Sequence, residues 1–402
     1  MPLPTEIPSG QPSGMMAKPI IPGGMPPGEG LYKYANDKAV AMIEVVEISN
    51  FKGFSNLVLE NLNTVNVITG QNNAGKTSLL EAIFMFYDRG NPDIHLRPHA
   101  SRGIQAFEMT AESMWGGLFN DFDFDKKITI SITENKKKDR MECIYRSRGN
   151  FSATSQIYST QNYTSSNTYI SSEALQISYH SHKNKPMGEI DVYFAKGQAQ
   201  ANFKNVVEIK KQAVSVTPSK STNLQFFGII DRFKKMDLLI DCLKIIEPEI
   251  SSVSAVPTSA GVSLYVDVGK KIKIPISYLG DGVSKMLSIA SAIIANPDSI
   301  VLIDEMENGI YYQHFPNMWE ILIHIAHLNR SQLFITTHSY DSMTGLAKCL
   351  EKKGDLFNQD LFSIDNDLIS FYRLVKKNHG IVAKYYESSD FLSAINMGWE
   401  LR

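Results

Sequence analysis

The sequence predicts an α/β protein: a mixed or parallel sheet with flanking helices, an inserted antiparallel β-rich lobe and a helical lobe. Three observations predict it. In "VNVITGQNNAGKTSLLEAI" (65–83) a short apolar strand, a glycine-rich turn and an amphipathic helix follow one another. Two apolar runs, "SIVLID" (299–304) and "QLFITT" (332–337), flank a helix-forming stretch that holds Trp319 and several Ile. That is the spacing of a parallel crossover unit. Between residues 126 and 196, four runs alternate apolar and polar positions as antiparallel strands do.

In chain order, residues 1–41 are rich in Pro, Gly, Ser and Met. Such a composition buries too little surface to offset its ordering entropy, so a disordered tail is expected. Whether that tail is a docking arm or an artefact of the chain's start stays open. Folded sequence is expected over 42–402, as one head. "IEVVEIS" and "LVLENLNTVNVITG" read as strands leading into the glycine-rich turn. The alternating runs are "KKITISIT", "MECIYRS", "ALQISYHS" and "EIDVYFAK", and they define a β-rich insertion over 126–223. The polar stretch among them, "NFSATSQIYSTQNYTSSNTYISS", reads as a long loop. Residues 224–250 carry helical periodicity. A strand pair ("GVSLYVDV", "KKIKIPIS") then leads to "YLGDGVSKMLSIASAIIA", a glycine turn opening a helix. The last stretch reads as a hairpin and a short helix, and no internal repeat is visible.

The bulk numbers narrow the class. A chain of 402 residues with 43% hydrophobic and 20% charged residues is an ordinary globular protein of one or two domains. A formal charge of −2 argues against a chain that is basic throughout. A local basic groove is still compatible with it, so nucleic acid stays a possible partner. Cys143, Cys242 and Cys349 stand far apart, with no zinc or disulfide spacing. A reducing cytosol is the simplest setting for them. No run approaches the roughly 18 apolar residues of a membrane span. The first residues lack a signal-peptide pattern, so the Asn-x-Ser/Thr matches at Asn150 and Asn162 mean polar loop only.

Nucleoside triphosphate hydrolysis needs a phosphate cradle, a magnesium ligand, a group that orients water and one that senses the γ-phosphate. The chain offers candidates for each. Gly70 and Gly75 permit a tight loop whose backbone N–H groups, through Asn72, Asn73 and Ala74, point at phosphates. Lys76 is placed to reach the β- and γ-phosphates, Thr77 to give its hydroxyl to magnesium, and Ser78 continues into the helix, whose N-terminal dipole favours the anion. Asp304 and Glu305 stand at the carboxyl end of an apolar strand. Such a pair is also a common charged strand terminus; the phosphate loop upstream favours Asp304 as metal ligand and Glu305 as the residue that polarises water. His338 ends the next apolar strand. A lone histidine there is usually structural, and its place after the acidic pair favours contact with the γ-phosphate. Gly280-Asp281-Gly282 opens a helix and is either a second anion site or an ordinary N-cap by Asp281.

Phosphate loop, glycine turn, Asp-Glu strand and strand-end histidine, in that order, resemble the ABC-type ATPase heads of the RecF, SMC and OLD (overcoming-lysogenisation-defect) group. "NFKGF" (50–54) resembles it too, which implies that Lys52 lies near the phosphates. "DEMENG" with "GDG" resembles more narrowly the OLD-like AAA ATPases. The resemblance implies ATP and Mg²⁺ as cofactors, ATP-dependent dimers or larger homo-oligomers, and a signature turn that closes the partner's site through Gly280, Asp281, Gly282 and Ser284. The usual signature serine is missing, so Ser284 or Lys285 is the candidate substitute. Gln105 is the candidate for the glutamine loop. No heptad run is long enough for an SMC-type coiled coil, and the chain after His338 is too short for an OLD nuclease domain. The chain therefore resembles the ATPase subunits of bacterial anti-phage systems, which control a separate nuclease or toxin. A RecF-like DNA-repair ATPase is the alternative, with basic runs at Lys136–Lys138, Lys210–Lys211, Arg232 to Lys235, and Lys376–Lys377 as its possible DNA contacts.

Overall fold

The computed structural model describes residues 42–89, 110–147, 151–153, 169–171, 173–195, 198–205, 211–216, 224–259, 261–352, 368–378 and 380–398. The expected tail and Gln105 lie outside them. Along the chain come β1 (Ile43–Phe51), β2 (Phe54–Leu59), β3 (Val65–Gly70), α1 (Lys76–Tyr87), α2 (Ala111–Trp115), β4 (Ile128–Glu134) and β5 (Lys137–Arg146). Then follow β6 (Phe151–Ala153), β7 (Tyr169–Ser171), β8 (Ala174–His180), β9 (Pro186–Ala195), β10 (Gln198–Lys204) and β11 (Ala213–Val216). Next are α3 (Leu224–Arg232), α4 (Met236–Lys244), β12 (Ser252–Thr258), β13 (Gly261–Asp267), β14 (Ile274–Pro275) and α5 (Asp281–Ala295). The last are β15 (Ile300–Ile303), α6 (Phe315–Leu328), β16 (Gln332–Thr336), α7 (Tyr340–Lys352), β17 (Ile369–Lys377), β18 (Gly380–Tyr386) and α8 (Ser388–Asn396).

Two large sheets organise these elements. One has the order β11-β15-β16-β3-β17-β18 and is parallel except for its last strand. The other, β10-β9-β8-β5-β4-β1-β2, is antiparallel throughout. The fold is therefore α/β, with one mixed and one antiparallel sheet. The alternating runs between 126 and 196 join β1 and β2 in one sheet, while Ala213–Val216 leaves them and pairs with β15. The expected long loop contributes a small pairing of β6 with β7. The helical stretch 224–250 is two helices; Lys234, at φ 56°, separates them.

The period of two in a strand sends neighbouring side chains to opposite faces. Val65, Val67, Val301, Ile303, Leu333 and Ile335 pack with α3 to α7 in one core. Ile68, Ile300, Leu302 and Phe334 pack with α1 and the antiparallel sheet in a second core. The parallel sheet is thus buried on both faces, which explains its continuous apolar runs. Gln332 ties the two sheets together: its amide accepts from the Ile43 N–H at 2.8 Å and donates to the Ile43 carbonyl at 2.9 Å. That pairing satisfies an amide that is almost wholly buried.

Candidate functional site

β15, β16 and β3 are adjacent and parallel, so the segments that follow them meet at one edge of the sheet. Open α/β sheets bind ligands at the carboxyl ends of their strands. Here those ends carry the glycine-rich turn after β3, Asp304 after β15 and His338 after β16.

Asn73 (φ 61°) and Gly75 (φ 89°) are left-handed, which turns the backbone sharply enough to start α1 at Lys76. Gly75 has a second constraint. A Cβ there would stand 2.8 Å from the Phe54 ring, so the "NFKGF" hairpin lies directly on the loop. Asn72 and Asn73 are exposed, while Ala74, Lys76 and Ser78 are buried. Lys76 Nζ donates to the carbonyls of Gly70 at 2.7 Å and Gln71 at 3.0 Å. Burial lowers the pKa of this lysine; Glu307, then Asp304 and Glu305, act against that shift. An anion beside Lys76 would relieve the same desolvation cost. Lys52 bonds the carboxylate of Glu81 on α1, which sets it against the first turns of that helix.

Asp304 is held on every side. Its Oδ2 accepts from the Thr77 hydroxyl at 2.9 Å and its Oδ1 from the Thr336 hydroxyl. Its main-chain carbonyl accepts from Lys285 Nζ at 2.9 Å. The next N–H, of Glu305, donates to Thr336 Oγ1 at 2.9 Å. Glu305 itself has φ 46°, a left-handed conformation uncommon outside glycine and costly to hold. Its carboxylate accepts from Asn308 Nδ2 at 2.7 Å.

These placements bring together Asn72, Asn73, Ala74, Gly75, Lys76, Thr77, Ser78, Asp304, Glu305 and His338. The turn before α5 stands differently. Gly280 and Asp281 are exposed, and Ser284 is half-buried with its hydroxyl turned back on the Gly280 carbonyl at 3.3 Å. Gly282 is buried against the loop that follows β15: a Cβ there would stand 2.7 Å from the Gly309 carbonyl oxygen. Lys285 is buried and points into the site of its own chain, with its pKa lowered by burial. In this structure its ammonium caps the Asp304 carbonyl of its own chain. Three residues were not singled out by sequence: Thr336, Asn308 and Glu307. Glu307 is the third acid of "DEMENG", and its Oε1 meets both the His338 N–H and Nδ1 at 2.8 Å. The acidic spacing was visible, but its partner in β16's loop was not.

A phosphate loop opening a helix, an acid bonded to the loop's threonine and a third strand end beside them define the class of P-loop ATPases. The comparisons with known proteins agree. Residues 42–211 match the family model described as AAA ATPase domain, and residues 200–343 match AAA domain, putative AbiEii toxin, Type IV TA system. Both descriptions are of AAA-type domains, and with them the chain is an ATPase. It is 25% identical over 373 residues to an ATP/GTP phosphatase of Helicobacter pylori, covering 86% of this chain and 98% of that one. It is 49% identical over 43 residues to the DNA replication and repair protein RecF of Idiomarina loihiensis, covering 11% of this chain and 12% of that one. Similar solved structures include an SMC head bound to the C-winged helix domain of ScpA, with TM-score 0.44, 11% identity and coverage of 86% and 97%. Another is the SMC head domain of Thermotoga maritima, with TM-score 0.38, 10% identity and coverage of 86% and 99%. Among the described residues no helix is long and apolar enough to cross a membrane.

Proposed function

We propose that the chain is an ABC-type ATPase head that binds Mg-ATP between two protomers, hydrolyses it slowly and controls a separate effector, such as a nuclease or toxin, in bacterial anti-phage defence. The observation that carries the ATP-binding part is the Thr77–Asp304 hydrogen bond, which joins the phosphate loop to the acidic strand. Lys76 gives up its loop carbonyls for the β- and γ-phosphates. The loop N–H groups of Asn72 to Ser78 cradle the triphosphate, and Lys52 stands at its edge. The Thr77 hydroxyl and the Asp304 carboxylate are hard oxygen donors of the kind that would hold Mg²⁺. Magnesium would neutralise charge on the transferring phosphoryl group. Glu305 leaves Asn308 to orient the attacking water, and His338 meets the γ-phosphate.

The exposure of Gly280 and Asp281, beside Ser284 at the start of α5, supports a shared interface. ATP held between two such surfaces favours the closed dimer, because both protomers then contribute to its binding. The description of the second matching family, which names a putative toxin of a type IV toxin–antitoxin system, supports a toxin–antitoxin setting. A RecF-like reading is favoured by the short, close match to that repair protein. Against it, one lysine in each of two basic runs is already paired: the half-exposed Lys138 with Glu47, and the largely buried Lys211 with Glu134.

The test is the Glu305→Gln protein, purified with Mg-ATP and weighed intact. The proposal expects a stable dimer or larger assembly with ATP bound and a protein passenger. Normal turnover by this variant would move water orientation to another residue, and DNA as the sole passenger would favour the repair reading. Lys76→Ala is the control, with ATP affinity reduced by at least about 100-fold, as the loss of a buried charge contact implies.

A further inference from the structure

Glu307 has no part in the mechanism above, yet it is an acid built into the same loop as Asp304 and Glu305. Its side chain is 9% exposed. One oxygen, Oε1, takes the backbone N–H of His338 and faces Nδ1 of the same ring, both at 2.8 Å. The other, Oε2, is buried with no hydrogen-bond partner. Among the three acids of the loop, Glu307 acts most strongly on Lys76. A buried carboxylate is costly to hold, and it is retained here between a lysine of the phosphate loop and a histidine at the next strand end. His338, by contrast, is 44% exposed on its side chain and borders a cleft of about 470 Å³ that Tyr311, Ser339 and Asp341 also line. Its Nε2 has no hydrogen-bond partner among the described residues.

We infer that Glu307 is a positioning residue for His338: it fixes both the backbone and the ring, so that Nε2 is the atom presented to the γ-phosphate. This rests on the ATPase reading of the site. Two contacts to one oxygen leave the imidazole a single orientation, which a free strand-end histidine lacks. With the Glu307 carboxylate at Nδ1, Nε2 is the ring atom left to meet the triphosphate. Partners that orient metal-bound imidazoles are worth about 10–100-fold in affinity or activity, and an effect of that order is expected here. Glu307 also joins the acidic loop to the His338 ring itself, so a shift of the loop after β15 moves the sensing ring with it.

Four proteins test the inference: Glu307→Ala, Glu307→Gln, His338→Ala and the Glu307→Ala/His338→Ala double variant. Binding of a fluorescent ATP analogue is measured beside kcat and KM. The expected result is a fall in kcat of about 10–100-fold for either alanine variant, with little change in KM. The double variant is expected to be no slower than His338→Ala, because both changes remove one interaction. Glu307→Gln keeps an acceptor for both N–H groups and is expected to lose less than Glu307→Ala. Wild-type kcat in Glu307→Ala, or losses that multiply in the double variant, would overturn the inference.

A second measurement guards against misfolding and against failure of the ATPase reading itself. Imidazole ¹⁵N spectra of the nucleotide-free protein, compared with His338→Ala to assign the ring, are expected to show a proton held on Nδ1. That signature should persist in Glu307→Gln, altered in shift, and vanish in Glu307→Ala. A His338 ring whose nitrogens exchange protons freely in the wild type would refute the positioning role even if ATP is hydrolysed. A fixed Nδ1 proton in a protein without ATPase activity would sustain the pair and remove only the activity assigned to it.

Discussion

At the scale of single residues, the site depends on a hydroxyl that no motif advertises. Thr336 is fully buried; it donates to Asp304 and accepts from the Glu305 N–H. It holds the peptide that carries both acids, on the side opposite Lys285. Thr336→Val keeps the shape and removes both hydrogen bonds, leaving a buried N–H unsatisfied. The expected cost is about 1–3 kcal/mol of stability, read as a lower urea midpoint, together with a reduced kcat. Thr336→Ser should recover most of both. A valine variant with the wild-type midpoint would show that the hydroxyl holds nothing. The contrast with Lys76 explains what was legible. The phosphate loop is written in consecutive residues because a tight turn makes local demands on glycine and on the helix start. Thr336 and Glu307 find their partners 32 and 31 positions away in the chain, where no local pattern records them.

At the scale of elements, α5 is seated by one close approach. Gly282 opens it against the Gly309 carbonyl oxygen, where a Cβ would stand at 2.7 Å. Both atoms belong to the backbone or to its first carbon, so neither yields by a side-chain rotation. Gly282→Ala is expected to cost about 1–3 kcal/mol and to lower kcat, since the displaced loop carries Glu305 and Glu307. Gly228, in α3, has nothing within 4 Å of its added Cβ. Gly228→Ala should be neutral or stabilising by up to about 1 kcal/mol. Equal thermal midpoints for the two variants would mean that the loop shifts without resistance. Helices and strands with clear periods were legible, including β15, α6 and β16. β11 was not, because four residues, Ala213–Val216, are too few to show a period. The break between α3 and α4 was also hidden, since it turns on the left-handed Lys234 within an unbroken helical pattern.

At the scale of the whole molecule, the two cores decide how the chain responds to base. Cys143, in the core between the sheets, has its thiol pushed up to about 12 by burial. Cys349, in the helical core, is likewise raised to about 12, and Cys242 is raised by the same cause. Native thiols that keep their protons while unfolded ones lose them, from about pH 9 upward, make the folded state lose stability as pH rises through that window. At pH 8 a chromogenic disulfide reagent is therefore expected to label none of the three thiols until urea unfolds the protein. Rapid labelling of the native protein would show that these cores open. The division of the fold was only partly legible: strand patterns announced each sheet, but nothing local showed that β1 would leave the phosphate loop's sheet while β17 joined it. That arrangement places β3 between β16 and β17. During synthesis, the strand that leads into the phosphate loop is made early, and both of its lateral neighbours emerge some 260 residues or more later. Until then its edges are bare, and bare apolar edges invite pairing with other chains. A ribosome that stalls before Lys377 would leave a nascent polypeptide with the nucleotide motif written but not assembled, and aggregation rather than ATP would be its first partner.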